Sequence, residues 1–158
     1  MDAQQSQRQL VLPVLAYADP DAAISWLCRV FRFTEESRMV GRDGKVAIAD
    51  LRTSAGGALM IGGIPPRVKA RLRPALERAR ADDEATWPDS LTVILPDVDA
   101  QFEHVRREGA VILSELTDRP WGLRDFETLD IVGRPWNFSQ HLRDVRPQDW
   151  GATPSDAG

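Results

Sequence analysis

Residues 19–22 read Asp-Pro-Asp-Ala, and 78 positions later residues 97–100 read Asp-Val-Asp-Ala. Each tetrad follows an apolar run that starts at Leu10 or at Ser90-Leu91 and has strand length. Each also opens a segment with apolar residues at helical spacing: Ile24, Leu27 and Phe31 after the first, Phe102 and Val105 after the second. Aspartate at a strand-to-helix junction accepts backbone N–H bonds as an N-cap, and Pro20 suits the first helical position because its missing donor has no partner there anyway. Gly109 stands where the second helix should end.

Working outward, the segments Thr34–Val40, Val46–Arg52 and Ala58–Gly62 read as strands after the first helix. Val111–Leu116, Phe126–Ile131 and Pro135–His141 do so after the second. Turn signals separate them, among them Gly41-Arg-Asp-Gly44, Ala55-Gly-Gly57 and Val132-Gly133. Both halves thus read strand, helix, strand, strand, strand, an α+β pattern in which two marginal units make one stable core together. Between them, Gly63-Ile-Pro-Pro66 breaks structure and Pro74 could open a short helix through Ala81. Six basic residues lie between Arg67 and Arg80, which reads as a solvated helical linker or as a flap over an anionic ligand. The stretch 143–158 reads as a loose polar tail.

The 158 residues are 42% hydrophobic and 28% charged, with a net charge of −4. That is the composition of a globular chain, and it argues against a nucleic-acid partner. No apolar run is long enough for a membrane span, and Met1 to Gln9 lacks the apolar stretch of a signal peptide, so a cytoplasmic protein is expected. Cys28 is the sole cysteine, which excludes an internal disulfide and a thiolate metal cluster.

Several motifs together resemble the vicinal oxygen chelate superfamily, which includes glyoxalase I, extradiol dioxygenases and bleomycin-resistance proteins. The carriers are Asp19-Pro-Asp-Ala22 with Trp26-Leu27 and Phe31-Arg-Phe33, Asp97-Val-Asp-Ala100 with Glu108-Gly-Ala110, Trp121-Gly-Leu-Arg124, and Gly133-Arg-Pro-Trp-Asn-Phe138. The resemblance implies a single domain of two βαβββ modules, 10–62 and 89–142, joined by a linker 63–88, with a cupped mixed sheet around a ligand cavity and commonly a homodimer.

The family's metalloenzymes take four ligands from inward strand positions, which carry over here to Leu12, Asp50, Ser90 and Asn137. Leucine has no lone pair and serine is a poor neutral ligand, so this set does not suit a divalent transition metal. His104 and His141, the two histidines, fall late in a helix and at the end of a strand, where they do not form a two-histidine site. The expectation is therefore no metal and no cofactor, as in the bleomycin-resistance branch.

Alternation along the strands places Leu12, Val14 and Ala16, Ile48, Asp50 and Arg52, Ser90, Thr92 and Ile94, and Pro135, Asn137 and Ser139 on the inner face. Trp121 and Arg124 border the pocket mouth in the family, where tryptophan could stack on a planar ligand and arginine could fork onto an anion. Their alternative is structural, Trp121 closing a sheet edge and Arg124 pairing with Asp125 or Glu127. Asp50 is the candidate catalytic residue, a general base or a partner for a cationic ligand, unless Arg52 or a backbone donor holds it. The expected function is metal-independent binding of an aromatic or amphipathic small molecule. The alternative is a lyase, isomerase or dioxygenase using Asp50 as base or an atypical metal site.

Overall fold

The structure, a computed structural model, describes residues 11–63, 66–81 and 90–153. It falls into two compact units, which divide between Trp87 and Pro88. Trp87, within the linker, lies outside the described residues.

The first unit runs β1 (Val14–Ala16), α1 (Pro20–Phe31), β2 (Thr34–Val40), β3 (Val46–Arg52), β4 (Ala58–Gly62) and α2 (Pro66–Ala81). The second runs β5 (Leu91–Ile94), α3 (Val98–Arg107), β6 (Ile112–Asp118), β7 (Leu123–Leu129) and β8 (Pro135–His141), then a 3-10 turn at Pro147–Trp150. Each unit holds one four-stranded mixed sheet, in the orders β1-β4-β3-β2 and β5-β8-β7-β6. In each the first strand lies parallel to the last and the remaining pairs are antiparallel. The architecture is α+β, two βαβββ modules, as the repeat implies.

The two aspartate tetrads do what their chemistry dictates. Asp19 accepts from Ala22 N at 3.0 Å and Asp97 from Ala100 N at 2.9 Å, each satisfying a donor that the first turn of its helix leaves free. The next acid in each helix takes an arginine from a strand of the same unit: Asp21 binds Arg38 and Asp99 binds Arg124. Arg32, in the left-handed region at φ 59°, ends α1, and Gly109 at φ 79° follows α3.

α1 and α3 each cover one face of their own sheet. In α1 the buried residues Ala23, Ile24, Leu27, Val30 and Phe31 recur at helical spacing, and the strands answer with Ala49, Leu51, Leu59 and Ile61 at every second position. In α3, Val98, Phe102 and Val105 meet Phe126, Trp136 and Phe138. The Phe102 ring lies edge-on to Phe126 with centroids 5.1 Å apart, and Phe126 stacks on Phe138 at 5.4 Å. Asp130 pins the β7–β8 turn: it accepts from Val132 N, Arg134 N and the Trp136 indole Nε1.

Four of the six later strands have the expected bounds, and three features differ. β6 and β7 are Ile112–Asp118 and Leu123–Leu129, because the Asp130 turn ends β7 early and moves its pairing toward Leu123. α2 begins at Pro66 and carries Pro74 inside it, so Pro66, not Pro74, opens the helix. The tail is ordered at Pro147–Trp150, closed by Gly151 at φ 89° and by a hydrogen bond from Ala152 N to Pro147 O.

Candidate functional site

The face of each sheet that its helix leaves uncovered carries most of the candidate residues. Register aligns Val14, Met60, Asp50 and Ser37 in one row across the first sheet, and Ala16, Gly62, Ile48 and Met39 in the next. Val14 is 62% exposed, Leu12 precedes it and is also exposed, and Ile48, Asp50 and Met60 are half-buried. This face mixes apolar side chains with the Asp50 carboxylate and, one row on, the Arg52–Glu36 ion pair. Ser37 Oγ donates to Asp50 Oδ2 at 2.5 Å. Arg52 does not reach Asp50: it forks onto Glu36 through Nε at 2.5 Å and Nη2 at 2.7 Å, and gives Nη1 to Gly56 O. That bond to Glu36 is the main cause raising the Arg52 pKa.

In the second sheet the corresponding rows are Thr92, Asn137, Glu127 and Ser114, then Ile94, Ser139, Asp125 and Thr117. Ser139 Oγ donates to Asn137 Oδ1 at 2.5 Å, Thr92 and Ser90 are exposed, and Ile94 is 60% exposed. Arg119 Nε donates to the buried Asp125 at 2.7 Å.

Arg124 stands apart from these residues. It shares the α3 side of β7 with Phe126 and gives Nε and Nη2 to Asp99 and Nη1 to Asp118. Asp99 first and Asp118 second push its pKa up, so the guanidinium is committed to two carboxylates and neither of its strand neighbours, Asp125 and Glu127, is its partner. His141 contacts Asp144 at 2.9 Å at the exposed end of β8, and His104 lies on α3.

Trp121 occupies the β6–β7 turn, 41% exposed, and meets Trp150 edge-on with centroids 6.1 Å apart. With Leu123, Val145 and Pro147 the two indoles line a shallow groove of about 550 Å³. The turn and the tail are stitched together at Gly122, whose carbonyl accepts from Leu142 N at 2.9 Å and Arg143 N at 3.3 Å. The composition of the tail hid this arrangement. A lone Pro-Gln-Asp-Trp-Gly segment gives a turn signal but no hint of where its tryptophan lands.

Among the described residues no three His, Cys, Asp or Glu side chains converge as a metal site. Leu12, Asp50, Ser90 and Asn137 together offer one charged donor, which does not fit a divalent transition metal.

A family model described as the Glyoxalase/Bleomycin resistance protein/Dioxygenase superfamily matches residues 9–131. An uncharacterized protein of Mycobacterium tuberculosis is 26% identical over 146 residues, 92% of this chain and 82% of that one. TioX from Micromonospora sp. ML1 is similar in structure with a TM-score of 0.64 and 29% identity, over 87% of this chain and 100% of that chain. TnmS3, an antibiotic binding protein from Streptomyces sp. CB03234, shares the fold with a TM-score of 0.56 and 15% identity, over 85% of this chain and 98% of its own.

Proposed function

From the chain's membership of the glyoxalase/bleomycin resistance protein/dioxygenase superfamily, we propose that it binds an aromatic or amphipathic small molecule without a metal, as a homodimer in the cytoplasm. One observation carries this reading: on the uncovered face of the first sheet, Val14, Met60 and Ile48 lie beside an Asp50 already engaged by Ser37, with the Arg52–Glu36 pair in the adjoining row. A mostly apolar surface with a few fixed polar groups is the usual make-up of a small-molecule site. The second sheet's uncovered face is more polar, Ile94 with Thr92, Asn137, Ser139, Glu127 and Asp125. TnmS3 binds an antibiotic on the same fold, but the ligand class proposed here rests on the lining.

The test is elemental mass spectrometry of protein purified without chelator, with Mn, Fe, Ni and Zn added back, followed by a ligand screen read by tryptophan quenching with and without EDTA. Substoichiometric metal and EDTA-independent binding that Val14→Glu abolishes are expected. Near-stoichiometric metal, or binding that EDTA removes, would overturn the proposal.

Asp50 supports the alternative of a lyase or isomerase, since its carboxylate lies on the same face and is held there by a hydrogen bond from the Ser37 hydroxyl. Turnover of any ligand found in the screen, lost in Asp50→Asn with an unchanged melting temperature, would favour the enzyme. Binding retained in Asp50→Asn with no turnover in either protein would favour the binding protein.

A further inference from the structure

A four-residue 3-10 turn has little stability of its own in water, so Pro147–Trp150 is held by what it touches. Arg146 forks onto Asp149 within the turn, and the Trp150 ring reaches Trp121. The outcome is unusual for a surface: two indoles in edge contact, 41% and 39% exposed, at the side of an apolar groove. Leu123, which lines the groove, is on the same side of β7 as Asp125 and so belongs to the uncovered face of the second sheet. The groove therefore continues that face at its edge.

Beside the groove stands an arginine paired with a carboxylate through only one of its donors. The Arg119 guanidinium carbon lies 5.9 Å from the Trp121 ring centroid, and its Nε is spent on Asp125. Its two terminal nitrogens make no hydrogen bond among the described residues, and the side chain is 27% exposed. An arginine anchored through Nε presents its remaining donors in a fixed direction, which suits an oxyanion. Arg124, by contrast, has its donors taken by Asp99 and Asp118.

We infer that this groove binds a flat aromatic anion, with Trp121 and Trp150 receiving the ring system and Arg119 its carboxylate, sulfonate or phenolate. The inference rests on the reading of the chain as a small-molecule-binding protein. It goes further in naming the charge of the ligand and the cation that selects it, and in making the C-terminal turn part of the site.

The probe pair is anilinonaphthalene sulfonate and its uncharged counterpart N-phenylnaphthylamine, titrated against the full chain. The sulfonate is expected to bind saturably and to quench tryptophan emission, and Trp150→Ala to weaken it about tenfold, with partial recovery in Trp150→Phe. Arg119→Gln keeps a donor for Asp125 and is expected to weaken the sulfonate while leaving the neutral probe unchanged. Unaltered sulfonate affinity in Trp150→Ala would overturn the inference, as would equal weakening of both probes by Arg119→Gln. Loss of binding in Val14→Glu but not in Trp150→Ala would retain the sheet-face reading and sink this one. The reverse result would leave the groove standing and remove the sheet face.

Discussion

Gly122 shows how much one missing Cβ can decide. Its φ is 91°, and a Cβ built there would lie 2.1 Å from the Arg143 carbonyl oxygen, a backbone atom that cannot swing aside. Gly133 has a similar φ of 83° with nothing within 4 Å of the same position. Gly133→Ala should thus cost only the left-handed strain, about 1 kcal/mol, whereas Gly122→Ala should cost about 3 kcal/mol because the tail must also move. Urea unfolding of the two variants checks this, and Gly122→Ala should also shift tryptophan emission to the red as Trp150 leaves Trp121. Equal losses would mean that the close approach is not what fixes the tail. At Cys28, burial pushes the thiol pKa above its ordinary value of 9.0, partly offset by a hydrogen bond with the Glu35 backbone. A folded pKa raised in this way adds stability that is complete below the unfolded value and fades as pH rises through the folded one. Iodoacetamide at pH 8.5 should accordingly label Cys28 severalfold more slowly in the folded protein than in urea. Similar rates would show the thiol to be freely ionising.

At the scale of elements, legibility followed the range of the forces. The helix starts were readable because an N-cap acts within three residues: Asp19 and Asp97 meet Ala22 and Ala100. Asp19→Ala and Asp97→Ala should each cost about 1 kcal/mol, measured by chemical denaturation, and a cost near zero at either would mean water replaces the cap. The bounds of β3, β4 and β8 are legible from strand-length apolar or alternating runs and those of β2 from the helix end before it and the Gly41–Gly44 turn after it. Sequence neighbours mislead where partners are distant along the chain. Arg124 lies next to Asp125 in sequence, yet successive strand residues point to opposite faces, so its partners come from α3 and from the end of β6. Trp121 was identified by its motif, but its contact with Trp150 and the role of Arg119 depend on how the tail crosses Gly122, which no local pattern encodes. Ser37 escaped for the same reason: it reaches Asp50 across a β2 bulge between Glu35 and Ser37.

For the molecule as a whole, duplication poses the same packing problem twice. Each module spends its single packed helix on one face of its sheet and leaves apolar residues bare, with Val14 62% exposed, Met39 59%, Ile94 60% and Leu113 51%. Single exposed apolar side chains need no explanation, but several on the strands of one small module offer area that a partner can cover. A bound ligand covers only part of such a face, and a second copy of the chain supplies more area with the same chemistry. The proposed homodimer therefore predicts a sedimentation mass near twice the 17.6 kDa of the chain at micromolar concentration. It also predicts that Met39→Glu, which puts a charge on an exposed strand without touching the Asp50 row, lowers that mass toward the monomer while the unfolding midpoint changes little. A monomer in the wild type across the concentration range would remove the dimer and leave the ligand alone to account for the bare faces. Saturable binding by a chain of monomer mass would then identify one copy as the complete binding unit.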